Sequence, residues 1–174
     1  MGKIEILMIG DSLIEYGEWE TLLGRAVINR GIGGDTTYGV LRRIKGSLKK
    51  HPQKIVLMVG INDIITGESI GTIAKQYEEI LKKIEDEKQE IKVYTHQVLP
   101  CNPQKLFFVF DNGQAKALNS EILRLSQKYN AICIDLWDVL VEKGELIEKY
   151  TLDGVHLTEE AYKIWAEKLK LYLE

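Results

Sequence analysis

The sequence is poor in cysteine, proline and histidine, and it has no long uninterrupted run of apolar residues. Its two cysteines, Cys101 and Cys133, form no Cys-x-x-Cys pair, so neither a disulfide scaffold nor a structural zinc site is supported, and two free thiols are expected. No apolar run approaches the roughly 18 residues that span a membrane. We therefore predict a protein with no stable membrane anchor.

An excess of basic charge is also missing. The chain has 23 Lys and Arg residues against 26 Asp and Glu residues, a formal net charge of −3. Such a surface does not attract phosphate backbones over its whole area, so no nucleic acid partner is expected. Glu5 interrupts the first apolar run, which ends at Gly10 and Asp11 rather than continuing as a signal peptide would. The predicted location is cytoplasmic.

The composition is that of a globular domain. Hydrophobic residues make up 45% of the 174 residues and charged residues 28%, which argues against disorder. With three prolines and no linker or low-complexity tract, residues 1–174 are predicted to form a single domain.

Short apolar runs alternate with amphipathic stretches along the chain. Five runs, which are continuous enough to be covered on both faces, predict strands within residues 4–9, 27–28, 55–59, 91–99 and 131–134. Apolar residues at three- and four-residue steps predict helices within residues 41–48, 70–84, 115–125 and 161–172. This alternation predicts an α/β fold with a five-stranded parallel sheet. The dense apolar run at 106–110 is expected to pack in the core, although a pocket wall or a dimer contact is an alternative.

Ser12 follows the first predicted strand in the sequence Gly10-Asp11-Ser12-Leu13. Ligands of open parallel sheets bind beyond the carboxyl ends of the strands, so the Ser12 hydroxyl is placed where function is expected. Taken alone, however, Asp11 or Ser12 is more simply explained as a helix cap. A nucleophilic role requires a base.

His156 is the strongest candidate for that base. Asp153 stands three residues earlier, and Gly154 between them permits a tight turn. A carboxylate so placed accepts the Nδ1–H of the imidazole and leaves Nε2 free to face a serine. A plain turn before a helix capped at Thr158 is compatible with this role. Of the other histidines, His51 is expected in a solvated loop, and His96 is as consistent with a structural role as with the site.

Two further segments that follow predicted strands supply candidate oxyanion donors. These are the backbone N–H of Gly34 and the side-chain amide of Asn62, which join the N–H of Ser12. The alternatives are that Gly34 belongs to a flexible turn and that Asn62 only forms one.

Together these segments make the chain resemble the SGNH (GDSL) hydrolase family. The family's blocks are matched in order by residues 10–13, 34–35, 60–63 and 153–156. These blocks are spread over nearly the whole chain. The resemblance implies Ser12 as nucleophile, Gly34 and Asn62 as oxyanion donors, and Asp153 and His156 as the rest of a triad. It also implies a three-layer α/β/α flavodoxin-like fold, and a reaction that uses no cofactor and no metal.

Within the family, residues 29–37, residues 150–157 and the Trp165 helix look like the branch of intracellular platelet-activating-factor acetylhydrolase catalytic subunits. This implies hydrolysis of short-chain acyl esters, with acetyl esters foremost, and mildly favours a homodimer. The expected partner is a small-molecule acyl ester. The alternatives are a non-catalytic module and a flavin- or nucleotide-binding protein, since a strand-one loop that begins with serine can hold phosphate.

Overall fold

The computed structural model describes residues 5–87 and 89–174. In this part of the chain, five strands form a parallel sheet in the order β2-β1-β3-β4-β5. The strands are β1 (Ile6–Gly10), β2 (Val27–Gly31), β3 (Lys54–Met58), β4 (Lys92–His96) and β5 (Ile132–Ile134). The predicted five-stranded parallel sheet is therefore confirmed, in the flavodoxin-like order.

Helices connect the strands and follow the last one. They are α1 (Ser12–Glu15), α2 (Trp19–Leu23), α3 (Thr37–Leu48), α4 (Ile61–Ile65), α5 (Ile70–Glu85), α6 (Asn112–Lys128), α7 (Trp137–Leu140), a 3-10 turn (Glu148–Tyr150) and α8 (Glu159–Leu173). A small antiparallel hairpin, β6 (Val141–Glu142) and β7 (Glu145–Leu146), lies between α7 and the 3-10 turn.

Side chains of alternate strand residues enter two separate cores, because successive residues of a strand point to opposite faces. Ile6 and Met8 of β1 join one core, which includes residues of α2 and α8. Leu7 and Ile9 join the other, which includes residues of α3, α5 and α6. Helices thus cover both faces of the sheet, and the predicted three-layer α/β/α arrangement is confirmed.

The four predicted helices are present, and the helix expected after the Asp11-Ser12 cap is the short α1, but the short helices α2, α4 and α7 were not predicted. A helix of one turn carries too few residues for a 3.6-residue repeat to be seen. The first predicted strand began at residue 4, which lies outside the described residues. The fourth was predicted to extend to 99 but ends at His96, although Val98 and Leu99 are buried.

The expectation that residues 106–110 pack in the core is wrong for the middle of the run. Phe107 and Val109 are fully exposed, and Phe108 is 44% exposed. Leu106 lies directly against Gly154, and Phe110 packs at the edge of the second core. Since the two ends of the run are held against the protein, the three residues between them project from the surface.

Cys101 and Cys133 are free thiols. Burial raises the pKa of Cys101 to about 12, so this thiol is unreactive at neutral pH. Over residues 5–87 and 89–174, no helix has the length and apolar character needed to cross a bilayer.

Candidate functional site

The site forms at the carboxyl ends of β1 and β3, because the chain continues from β1 to β2 at one edge of the sheet and from β3 to β4 toward the other edge. β1 pairs with β2 on one side and with β3 on the other, and Gly10 is level with both Gly31 and Met58. The segments that follow these three strands therefore emerge at one edge of the sheet. This is the topological switch point at which open α/β sheets bind ligands.

Ser12 begins α1 directly after β1 and is buried. The Asp11 side chain caps this helix by accepting a hydrogen bond from the Leu13 N–H at 3.0 Å. Asp11 therefore makes the cap that the sequence suggested, and the Ser12 hydroxyl takes no part in it. Gly10 is needed just before them, because a Cβ at this position would collide with the carbonyl of Met58.

Two aromatic side chains hold the short helix α1 in place. The Tyr162 hydroxyl donates to the Leu13 carbonyl at 2.7 Å, and Trp19 Nε1 donates to the Ile14 carbonyl at 2.7 Å. Trp19 and Tyr162 belong to the core formed with α2 and α8. The nucleophile candidate is thus fixed by side chains that no local sequence pattern indicated.

His156 brings the carboxyl-terminal part of the chain to Ser12. Its Nε2 lies 3.0 Å from Ser12 Oγ, and its Nδ1 lies 2.6 Å from Asp153 Oδ2. Because Nδ1–H donates to the carboxylate, Nε2 is left as the acceptor of the Ser12 hydroxyl proton. The structure thus brings Ser12, Asp153 and His156 together in one line of hydrogen bonds.

The turn that carries His156 is built from its own polar groups. Thr151 Oγ1 accepts from the Gly154 N–H at 2.9 Å and donates to the His156 carbonyl at 2.7 Å. Gly154 has a φ of +95°, which other residues rarely adopt, and its neighbours Leu106 and Asn102 leave no room for a side chain. The predicted tight turn is therefore imposed both by backbone conformation and by packing.

Asp153 is exposed but remains an anion. Desolvation opposes ionisation, yet hydrogen bonds from the backbone N–H and ring of His156 and from the Val155 N–H outweigh it, and together they lower the pKa of Asp153 below its usual value. A carboxylate in this state stabilises the imidazolium that forms when a serine is deprotonated.

Asp11 has the opposite environment. Burial raises the pKa of Asp11 to about 7. The hydrogen bond from the Leu13 N–H and the electrostatic interaction with His156 partly offset this rise. The nearby carboxylates of Asp35 and Asp63 add to the rise. Asp11 is therefore a helix-capping residue with a raised pKa. It is adjacent to Ser12, but its carboxylate accepts a hydrogen bond from the backbone.

Gly34 and Asn62 lie on neighbouring segments of the same edge. Gly34 has a φ of +76°, and the Asn62 Nδ2 group donates to the Asp35 carbonyl at 3.0 Å. This hydrogen bond joins the Gly34 segment to the start of α4. The structure therefore places both predicted oxyanion donors beside the same connection between β2 and α3.

Arg43, which sequence reasoning missed, ties this connection to the sheet. Its guanidinium donates to the Asp35 carboxylate at 2.8 Å, to the Gly10 carbonyl at 2.9 Å and to the Arg30 carbonyl at 2.8 Å. Gly10 ends β1, Arg30 lies near the end of β2, and Asp35 belongs to the connection that follows β2. Arg43 is the seventh residue of α3, nearly two turns from its start, and an arginine on a helix gives no sequence signal of such a role.

Asp63 anchors the same region from the β3 side. Its buried carboxylate accepts from the Thr37 N–H at 3.0 Å and from the Thr37 hydroxyl at 2.5 Å. Burial raises the pKa of Asp63, although the bonds from Thr37 oppose this rise. The start of α3 and the start of α4 are thereby fixed to each other.

The other two histidines lie outside the site. His51 is exposed in the loop before β3, as predicted, and contacts Gln89 at 3.3 Å. His96 is buried on β4, where its Nδ1 donates to the Gln97 carbonyl at 2.7 Å and its ring packs edge-on against Trp165 at 5.0 Å. Burial lowers the pKa of His96 to about 4, so this ring is neutral and structural.

A cavity of about 760 Å³ adjoins the histidine side of the site. Its wall is largely apolar and includes Tyr16, Leu22 and Leu152 together with Asp153 and His156. Over residues 5–87 and 89–174, no three His, Cys, Asp or Glu side chains cluster as a metal site would require. The hydroxyl–imidazole–carboxylate arrangement has the geometry that ester hydrolysis through a serine needs.

Comparison with known proteins agrees with this chemical class. The model of the GDSL-like Lipase/Acylhydrolase family matches residues 8–164. A platelet-activating factor acetylhydrolase IB subunit alpha2 from Rattus norvegicus is 33% identical over 172 residues, covering 91% of this chain and 71% of that protein. The chain belongs to the GDSL-like lipase/acylhydrolase family.

Other relatives are longer than this chain. N-acylneuraminate cytidylyltransferase from Streptococcus agalactiae is 22% identical over 146 residues, and the match covers 84% of this chain but 34% of that protein. The chain therefore spans about a third of the length of these relatives.

Solved structures share the whole fold. A platelet activating factor candidate from Streptococcus pneumonia superposes with a TM-score of 0.89 at 27% identity, covering 100% of this chain and 86% of that one. An acetyl xylan esterase, AlAXEase, gives a TM-score of 0.84 at 24% identity, covering 98% and 100% of the two chains. The latter shows the fold alone.

Proposed function

We propose that the protein hydrolyses short-chain acyl esters, chiefly acetyl esters, through a Ser12-His156-Asp153 triad and an acyl-enzyme intermediate. The observation that carries the proposal is the 3.0 Å contact between Ser12 Oγ and His156 Nε2, whose residues lie 144 positions apart in the chain. No local folding preference accounts for it. A second hydrogen bond continues from His156 to Asp153, which completes the arrangement that activates a serine nucleophile.

In the first step, His156 Nε2 takes the Ser12 proton while Ser12 Oγ bonds to the ester carbonyl carbon. Asp153 holds the resulting imidazolium. When the tetrahedral intermediate collapses, the bond to the alcohol oxygen breaks and His156 gives its proton to the leaving alcohol. Water then attacks the acyl-enzyme with His156 again as base, which releases the carboxylic acid and restores Ser12.

The developing oxyanion is stabilised by the Ser12 N–H, the Gly34 N–H and the Asn62 amide. The Asn62–Asp35 bond supports this role, because it holds the amide beside the Gly34 segment before substrate arrives. Each such donor contributes on the order of 2.7–4 kcal/mol to transition-state stabilisation. Preorganised donors need no rearrangement at the moment of attack.

A preference for acetyl esters is supported by the relatives. The 33% identical mammalian relative is named an acetylhydrolase. That name specifies the acyl group and not the alcohol. The acetyl group is therefore the part of the substrate that we propose for this chain.

The test is Ser12→Ala assayed with p-nitrophenyl acetate. Turnover should fall by at least a thousandfold, while the unfolding transition stays within a few degrees of that of the parent. The matched control is Ser120→Ala on the exposed face of α6, which should keep full activity. An organophosphonate probe should label the parent and the control, but not Ser12→Ala.

Undiminished turnover in Ser12→Ala would contradict the mechanism. A purified protein that is yellow and whose Ser12 does not react with the phosphonate would favour the flavin-binding alternative. A colourless protein with an unreactive Ser12 and no turnover of any ester would favour a non-catalytic module.

A further inference from the structure

The cavity beside His156 contacts only some of the groups that are proposed to act on the ester. It is bounded by the segment that joins α1 to α2, by the turn that carries His156 and by the first turns of α8. Its lining residues are Tyr16, Glu18, Thr21, Leu22, Leu152, Asp153, His156, Leu157, Glu159, Tyr162 and Lys163. The lining includes His156 but not Ser12, Gly34 or Asn62.

This position relates the cavity to one half of the ester. In attack by Ser12, the carbonyl oxygen must point toward Gly34 and Asn62, neither of which lines the cavity. The alcohol oxygen must face His156 Nε2, since that atom supplies its proton. A group that extends from the alcohol oxygen past the imidazole enters the cavity.

We propose that this cavity is the binding site of the leaving alcohol, and that the alcohol is bulky, largely apolar and not anionic. The inference rests on the proposed function. At about 760 Å³ the cavity has the size of a small-molecule site, far larger than methanol or ethanol needs. The proposed substrates are therefore esters that combine a small acyl group with a large alcohol.

The apolar character comes from side chains of three separate elements. Leu22 of α2, Leu152 before the His156 turn and Leu157 after it contribute to the wall. Tyr16 completes it, with its ring centre 5.7 Å from that of the His156 imidazole. Since Tyr16 flanks the ring that protonates the alcohol, an apolar alcohol would contact it first.

The charges around the cavity disfavour an anion. Its lining includes the carboxylates of Glu18, Asp153 and Glu159 but the single ammonium of Lys163. That ammonium already pairs with Glu159 at 2.8 Å. A carboxylate or phosphate on the alcohol would meet unbalanced negative charge.

Two series of esters test the assignment. In the first, acetates of methanol, butanol and hexanol vary the alcohol; in the second, p-nitrophenyl acetate, butyrate and hexanoate vary the acyl group. We expect kcat/KM to rise about two- to fourfold per methylene added to the alcohol, because each methylene buries apolar surface. In the acyl series, kcat/KM should fall with length.

Thr21→Trp places a large side chain in the cavity from the exposed surface of α2. It should lower the ratio of kcat/KM for hexyl acetate to that for methyl acetate at least fivefold. Leu123→Trp, an exposed position on α6 beside a different cavity, is the matched control and should leave the ratio unchanged. Binding can be measured without turnover by titrating hexanol into Ser12→Ala. The affinity for hexanol should be lower in the double variant Ser12→Ala/Thr21→Trp.

Glu18→Lys gives a second variant at an exposed position. It should raise kcat/KM for the acetate of 4-hydroxybenzoate at least fivefold relative to phenyl acetate. An unchanged hexyl-to-methyl ratio in Thr21→Trp, or an acyl series that rises with length and is blocked by Thr21→Trp, would overturn the assignment. If neither series shows Ser12-dependent hydrolysis, the proposed function itself fails, which is a different result.

Discussion

Asp153 accepts hydrogen bonds from both the ring and the backbone of His156. Its Oδ2 receives the Nδ1–H at 2.6 Å, and its Oδ1 receives the backbone N–H at 2.8 Å. The Val155 N–H also donates to Oδ1, at 3.0 Å. One carboxylate therefore sets the conformation of the turn and the orientation and tautomer of the ring it carries.

Asp153→Asn should separate these two roles. The amide oxygen can still accept from the backbone N–H groups, but the amide nitrogen placed against Nδ1 favours the wrong imidazole tautomer. We expect kcat to fall by about 10³- to 10⁴-fold with little change in stability. The measurement is steady-state turnover of p-nitrophenyl acetate beside thermal unfolding, and a loss below tenfold would remove Asp153 from the mechanism.

Asn62→Ala should reduce the stabilisation of the transition state more than it reduces the affinity for the substrate. Because the amide is proposed to act on the oxyanion, kcat should fall about 10²- to 10³-fold with KM within about threefold. Thr66→Ala is the matched control, since the Thr66 hydroxyl donates to the Asn62 carbonyl without reaching the proposed oxyanion. Equal losses in the two variants would show that α4 had merely been disturbed.

Asp11→Asn should change how stability depends on pH. The pKa of Asp11 is raised from 3.8 to about 7 in the folded protein. Its contribution to stability is therefore complete below pH 4 and is lost as pH rises through about 7. Since Asn caps helices as well as Asp does, Asp11→Asn should gain stability relative to the parent between pH 4 and 8, by up to about 4 kcal/mol.

Urea unfolding of the parent and Asp11→Asn at pH 4, 6 and 8 measures this difference. Asp63 titrates in both proteins, so its effect cancels in the comparison. A difference in unfolding free energy that stays constant from pH 4 to 8 would show that burial does not perturb Asp11.

His96→Leu should make the fold less sensitive to acid. The pKa of His96 is lowered from 6.5 to about 4 by burial. The stability that the neutral ring contributes is present above pH 6.5 and is lost as pH falls toward 4, by up to about 3 kcal/mol. Leucine does not titrate, so the parent should lose stability over this range and His96→Leu should lose less.

The exposed His51 gives the control for this experiment. Chemical unfolding at pH 7 and pH 4.5 should show the same acid loss in His51→Gln as in the parent. If His96→Leu loses as much stability as the parent does, the acid sensitivity has another origin.

The sequence predicted the sheet because its strands are buried on both faces and so appear as continuous apolar runs. It predicted the position of Ser12 because strand ends of a parallel sheet share one edge. It did not predict the role of Tyr162, whose partner Leu13 lies 149 positions away, or that of Arg43, whose three partners lie in two strands and a loop. Phe107 was misplaced because apolar density in a segment does not say which side chains point inward.

Several sequence predictions concern properties beyond the fold. A single domain over residues 1–174, a homodimer, a cytoplasmic location and the lack of a nucleic acid partner remain predictions.

The 144 positions between Ser12 and His156 have a consequence for the growing polypeptide. On the proposed mechanism, a ribosome has made the attacking hydroxyl long before it makes the base. A truncated or half-folded chain then carries an inert serine. Ester cleavage thus reports that the amino-terminal strand and the carboxyl-terminal turn have come together, which makes activity a sensitive assay of complete folding.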